Sequence, residues 1–126
     1  EDMSQTIQTA KAAPAIGPYS QAVSCKGLLF TSGQIPADAE TGEIVGTEIC
    51  AQAKQVMKNI SAILEEAGAS FDNVIKTTCF LADMNDFAAF NEIYGEYFVN
   101  KPARSCVAVK TLPKNVLCEV EVIAEL

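Results

Sequence analysis

The stretch over residues 116–125 constrains this chain most. Over 116–125, Val116, Cys118, Val120, Val122 and Ala124 alternate with Leu117, Glu119, Glu121, Ile123 and Glu125, and side chains of a strand point to opposite faces with a period of two. The first set is apolar throughout and suits a face packed against helices. The second mixes Leu and Ile with carboxylates, which suits a face that is partly wet or that meets another subunit. A sheet face this apolar, left bare, favours oligomerisation.

The rest of the chain supplies elements to go with that strand. Residues 22–25 and 28–31 are apolar runs separated by Lys26-Gly27, a two-residue hairpin signal. Ahead of them, Ala13-Pro14 and Gly17-Pro18 keep the chain extended or turning, and residues 6–9 read as a short edge strand. Residues 36–46 hold Pro, Asp and two Gly and read as a loop. From Thr47, apolar residues recur at spacings of three and four as far as Ala67, which predicts an amphipathic helix ended by Gly68. Residues 74–82 are β-branched and aromatic, as in a strand. A second helix is expected from about Asp83, a suitable N-cap, with Phe87, Phe90, Tyr94 and Tyr97 or Phe98 as a core-packing stripe. Residues 105–109 then form a strand that turns at 112–115 into the last one. The order ββ(β)-α-β-α-β-β predicts a single α+β domain over 1–126, with two helices on one face of one sheet. Glu1 and Asp2, which precede Met3, read as residues added ahead of a natural start.

Composition removes several chemistries. The chain has no histidine, which excludes Ser-His-Asp triads, Cys-His pairs and histidine metal sites. Lys and Arg number 9 against 16 Asp and Glu, for a net charge of -7, which opposes a nucleic-acid partner. Its five cysteines are odd in number and form no C-x-x-C pair. They read as reduced thiols of a cytoplasmic-type compartment, with neither disulfide nor metal expected. No apolar run reaches a membrane span and the polar start lacks the core of a signal peptide, so no membrane association is expected.

Two segments can carry chemistry without histidine. Pro102-Ala103 fixes the chain just before Arg104, at an expected strand entrance, and a guanidinium fork suits a carboxylate. Thr31-Ser32-Gly33-Gln34 ends a strand with a small hydroxyl and a glycine, where a ligand can approach the backbone closely.

Across the chain from Met3, the segments Ile16-Gly17-Pro18-Tyr19-Ser20-Gln21, Phe30-Thr31-Ser32-Gly33-Gln34-Ile35-Pro36, Thr41-Gly42-Glu43, Asn85-Asp86-Phe87, Pro102-Ala103-Arg104-Ser105-Cys106-Val107, Leu112-Pro113-Lys114 and Glu119-Val120-Glu121 together resemble the RidA/YjgF family of reactive intermediate deaminases, also described as endoribonuclease L-PSP or translation-inhibitor proteins. Cys118 departs from the branched aliphatic residue usual there. The resemblance implies a chorismate-mutase-like α+β fold with a single mixed sheet, and a homotrimer with clefts between subunits. It also implies hydrolysis of 2-enamine and 2-imino acids such as 2-aminoacrylate and 2-iminobutyrate, released by pyridoxal-phosphate-dependent dehydratases, to 2-keto acids and ammonia without a cofactor. Carried over by motif, Arg104 would bind the substrate carboxylate and Glu119 would activate water and move protons. The backbone at Gly33 and Cys106 would complete a polar cradle, and Tyr19, Ser32 and Asn91 would line the cleft. Strand alternation does not separate Glu119 from Glu121; only the motif does. Two other readings compete: an endoribonuclease or translation inhibitor, and a non-catalytic ligand-binding or chaperone-like trimer.

Overall fold

The computed structural model describes residues 3–126; Glu1 and Asp2, read above as additions, lie outside the described residues. Its strands are β1 (Gln5–Ile7), β2 (Ala22–Cys25), β3 (Leu28–Thr31), β4 (Val74–Leu81), β5 (Ala103–Ala108) and β6 (Cys118–Glu125), and its helices α1 (Ile49–Glu66) and α2 (Phe87–Tyr97). They form one six-stranded sheet in the order β1-β2-β3-β6-β4-β5. Every neighbouring pair is antiparallel except β4 and β5. A parallel pair needs a crossover, and α2 is that crossover. The sheet is therefore mixed, and the α+β expectation holds.

Local chemistry sets the helix limits. Glu48 caps α1, its two carboxylate oxygens accepting from the amides of Cys50 and Ala51 at 2.9 Å each, where the helix dipole also favours a negative charge. At the other end Gly68 takes a φ of 81°. The amides of Gly68 and Ala69 then donate to the carbonyls of Glu65 and Leu64, the paired bonds of a Schellman cap. Asp83 is a cap as expected, but of a 3-10 turn over Met84–Asp86, so α2 begins at Phe87.

Both helices cover one face. Leu29, Cys79, Leu81, Cys118, Val120, Val122 and Ala124 of the sheet are buried with Val56, Met57, Ile60, Ile63 and Leu64 of α1, Phe90 and Tyr94 of α2, and Phe98 just after it. Each large aliphatic side chain so buried contributes about 1.5–3 kcal/mol. On the other face the strand register aligns Phe30 with Ile123, Thr78 with Glu121, and Phe80 with both Glu119 and Val107. Phe30 and Val107 there are 44% and 47% exposed.

Three expectations shift. The edge strand is Gln5–Ile7 instead of 6–9, because the Thr9 amide is taken by the Gln21 side chain at 2.8 Å. β5 begins at Ala103, so Arg104 lies inside a strand, paired with Thr77, and not ahead of it. β6 begins at Cys118, after a 3-10 turn over Pro113–Asn115. Leu117 accordingly does not join the open face: its amide donates to Oε1 of the buried Gln52 at 2.8 Å, and its side chain packs against the core.

The loop after β3 is tied to α1 by Gln52, which donates to the Gly46 carbonyl, by Gln55, which donates to the Ala37 carbonyl, and above all by Asn59. Asn59 is fully buried; its Nδ2 donates to the carbonyls of Ile35 and Ala37 at 3.2 and 3.0 Å, and its Oδ1 accepts from Gln55. Asn59→Ala leaves these groups without that partner, and each buried group so left costs about 1–3 kcal/mol. Urea denaturation should show a loss in that range with an unchanged m-value.

Candidate active site

The residues singled out from sequence fall into two groups. The first is built on β6 and the loop after β3. Glu119 is half-buried on the open face while Glu121, two residues along, is exposed, so the structure separates what alternation could not. Burial, and secondarily the charge of Glu121, raise the Glu119 carboxyl above its ordinary range. Gly33 lies directly against it. A Cβ built at Gly33 would sit 2.8 Å from the Glu119 carboxyl carbon, closer than carbon atoms approach, so the glycine makes room for the carboxylate. A bridge between Gln34 and Val120, with N–H···O bonds of 2.8 and 3.2 Å, fixes this approach.

Ser32 precedes Gly33 in the chain, and Tyr19 shares a cavity with Gly33. The Ser32 hydroxyl donates to the Ser20 carbonyl at 2.6 Å, so its proton is committed and its oxygen remains as an acceptor. The Gln21 side chain binds the amide and carbonyl of Thr9 and the carbonyl of Ala13, folding the N-terminal segment over the sheet edge. Tyr19 is half exposed, and its hydroxyl accepts from the Ile16 amide at 3.4 Å. A cavity of about 320 Å³ is lined by Tyr19, Gly33, Ile35, Thr41 and Lys114 among others.

The second group is built on β5 and α2. Arg104 Nη1 donates to Asn91 Oδ1 at 2.6 Å, and its guanidinium carbon lies 4.8 Å from the ring centre of Tyr94 and 5.5 Å from that of Phe87, within cation–π range. Asn91 is thus a partner of Arg104 before it is a wall of any cleft. Cys106, two residues on, pairs with Cys79 in the ladder. Burial pushes the Cys106 thiol up, and Arg104 only partly opposes this, so its surroundings disfavour the thiolate that a nucleophile needs.

The two groups lie on opposite faces of the sheet. Arg104 and Cys106 pair with Thr77 and Cys79, which are buried on the helix side, whereas Glu119 pairs with Phe80 on the open side. One chain therefore does not bring Arg104 and Glu119 into a single cleft. Sequence reading missed three contributors. Phe87 and Tyr94 belong to an aromatic stripe that is indistinguishable from core, and Lys114 reaches its cavity through a left-handed backbone (φ 55°) that no periodicity reports. Among the described residues, no group of three or more His, Cys, Asp or Glu side chains could hold a metal ion.

The family described as endoribonuclease L-PSP matches residues 9–126. The chain belongs to that family, the RidA/YjgF family of the motif resemblance. It is 54% identical to a RutC family protein of Synechocystis over 95% of each chain. It is 48% identical to the 2-iminobutanoate/2-iminopropanoate deaminase of Escherichia coli, over 97% of this chain and 98% of that one. The crystal structure of E. coli TdcF with bound serine superposes with a TM-score of 0.92 at 44% identity, covering 97% of this chain and 98% of that one. The six-stranded mixed sheet with two helices is thus the RidA/YjgF fold.

Gly33→Ala isolates the first group. The obstructing atoms belong to the flexible end of Glu119, so the added methyl should leave the thermal midpoint nearly unchanged while displacing the carboxylate toward water. Carboxyl-carbon NMR titration should find the Glu119 pKa lowered toward the ordinary carboxylate value.

Proposed function

We propose that this chain hydrolyses reactive 2-enamine and 2-imino acids, 2-aminoacrylate and 2-iminobutyrate among them, to 2-keto acid and ammonia, at clefts formed between copies of a homotrimer. The observation that carries this reading is Arg104. Its partners among the described residues are one amide oxygen and two aromatic rings, none of which neutralises its charge, so the fork is available to a ligand carboxylate. The half-buried Glu119 on the other sheet face complements it when a second copy supplies one of the two. The exposed Phe30 and Val107 on the open face support such an association.

The chemistry asks little of the protein. An enamine first tautomerises to the imine, gaining a proton at C3 and losing one from nitrogen. Arg104 binds the carboxylate and fixes C2. Glu119 takes one proton from water as its oxygen adds to C2 and passes that proton to the imine nitrogen, giving a neutral carbinolamine. Glu119 then carries the hydroxyl proton to the amine nitrogen, the C–N bond breaks, ammonia leaves with the bonding pair, and the oxygen is left as the keto group. Orientation and one proton-transfer group suffice. Tyr19, the Ser32 oxygen and the backbone at Gly33 and Cys106 would line the cleft, and Asn91 would act through Arg104. A carboxyl raised by burial is suited to exchange protons nearer neutrality. No cofactor enters the scheme.

The deaminase name of the E. coli relative and the serine bound to TdcF support a small amino-acid-like ligand. A ribonuclease reading finds less support, because a chain of net charge -7 without histidine lacks the usual means of holding phosphate and shuttling protons. The expected reducing compartment, the cytoplasm or an organelle, is the one in which such imines would have to form, since they hydrolyse in water and must be met at their source.

In an assay coupled to a serine or threonine dehydratase, Arg104→Lys should weaken capture by roughly 1.5–3 kcal/mol. Glu119→Gln should still bind keto acid but lose about 100-fold or more in turnover, and Glu121→Gln should change turnover much less. Keto-acid binding without faster ammonia release by the wild type would leave a binding protein and not an enzyme.

The pH dependence has a defined sign. Glu119 works ionised in water activation, and its raised pKa places the acid limb of kcat/KM above the usual carboxylate range. Removing the Glu121 charge in Glu121→Gln lowers the Glu119 pKa, so the limb should move to lower pH, though not fully, because burial is the larger cause. An unmoved limb would assign it to another group.

A further inference from the structure

Arg104 is held by three residues of one helix. Phe87, Asn91 and Tyr94 stand four and three residues apart on α2, which aligns them on one face. Tyr94 differs from the other two, because its position is referenced to the sheet itself. Its hydroxyl lies 2.7 Å from Oγ1 of Thr77, a fully buried residue, and Thr77 is the β4 residue that pairs with Arg104 in the parallel ladder. The ring and the guanidinium above it are therefore fixed to the same rung. An exposed arginine would otherwise sample many rotamers, and freezing them on binding would count against affinity.

We propose that Tyr94 is a positioning residue: anchored through Thr77, it holds the Arg104 guanidinium in the plane required for a carboxylate, which Nε and Nη2 then meet side-on while Nη1 stays with Asn91. This rests on the reading of Arg104 as the carboxylate anchor. It assigns to Tyr94, otherwise a core aromatic, and to Thr77, otherwise a buried strand residue, an effect on ligand capture that passes entirely through Arg104.

The test is calorimetric titration of 2-oxobutanoate into the intact oligomer, with steady-state turnover alongside. Arg104→Ala should abolish binding. Tyr94→Leu should weaken binding roughly 3- to 30-fold, the range of a cation–π contact, and should raise KM while leaving kcat at saturation unchanged. Tyr94→Phe keeps the ring and loses the anchor, so it should fall between wild type and Tyr94→Leu. Thr77→Val should match it, and the two combined should lose no more than either alone. If Arg104→Ala abolishes binding while Tyr94→Leu binds as wild type does, the positioning role is wrong and the anchor stands. If Arg104→Ala binds as wild type does, the anchor is wrong and the positioning role falls with it. Should Tyr94→Leu fail to fold, Tyr94→Phe and Thr77→Val decide: wild-type affinity in both overturns the proposal, and a shared, non-additive loss supports it.

Discussion

The pairing of β6 on both its edges is the constraint from which the rest of this structure follows. It lies between β3 and β4 in the sheet, and its alternation leaves no freedom about which side chains enter the core. Cys118, Val120, Val122 and Ala124 close against the helices, which sends Glu119 to the opposite face. A slip of one residue would bury the glutamates and expose the valines, so the register that builds the core also places the carboxylate. The bridge from Val120 to Gln34 adds the Gly33 contact to the same rung system. Core and candidate site are thus one register decision.

β5 applies the same rule with a different outcome. It pairs parallel to β4, and the register that aligns Cys106 with Cys79 aligns Arg104 with Thr77. That sends Arg104 toward the helix side, where α2 receives it with two rings and an amide. β5 is an edge strand of the sheet, and the arginine remains exposed there. A cation ordered by aromatic faces keeps its charge unneutralised, whereas a carboxylate partner would compete with any acidic ligand. The arrangement separates Arg104 from Glu119 within one chain, and it is on the proposed reading that association combines them.

Much of this was legible in the residues. The alternation of β6, the helix of Ile49–Glu66 and the hairpin at Lys26-Gly27 are local patterns, and local patterns survive folding. The strand limits were less legible. Arg104 was expected ahead of a strand and lies within it, because pairing with β4 extends β5 toward Pro102. Leu117 was expected on the open face and packs against the core, because Gln52, distant in sequence, takes its amide. The motif resemblance named Arg104 and Glu119, but no sequence pattern states on which face of a sheet each will stand, since that depends on the register of strands brought together from far apart. Tyr94 shows the converse case: its spacing fits core packing, and it does pack there, yet its ring also meets a cation that only the tertiary fold supplies.

The central claim is that Arg104 and Glu119 act together only across two chains. The direct measurement mixes Arg104→Ala and Glu119→Gln chains, each inactive alone, by co-refolding at equal amounts and follows ammonia release in the dehydratase-coupled assay. With one residue from each neighbour, random assembly should restore about a quarter of the wild-type sites, because each site needs a specific chain on either side. Mixed oligomers with no recovered turnover would contradict the account, and would place both residues' roles within a single chain.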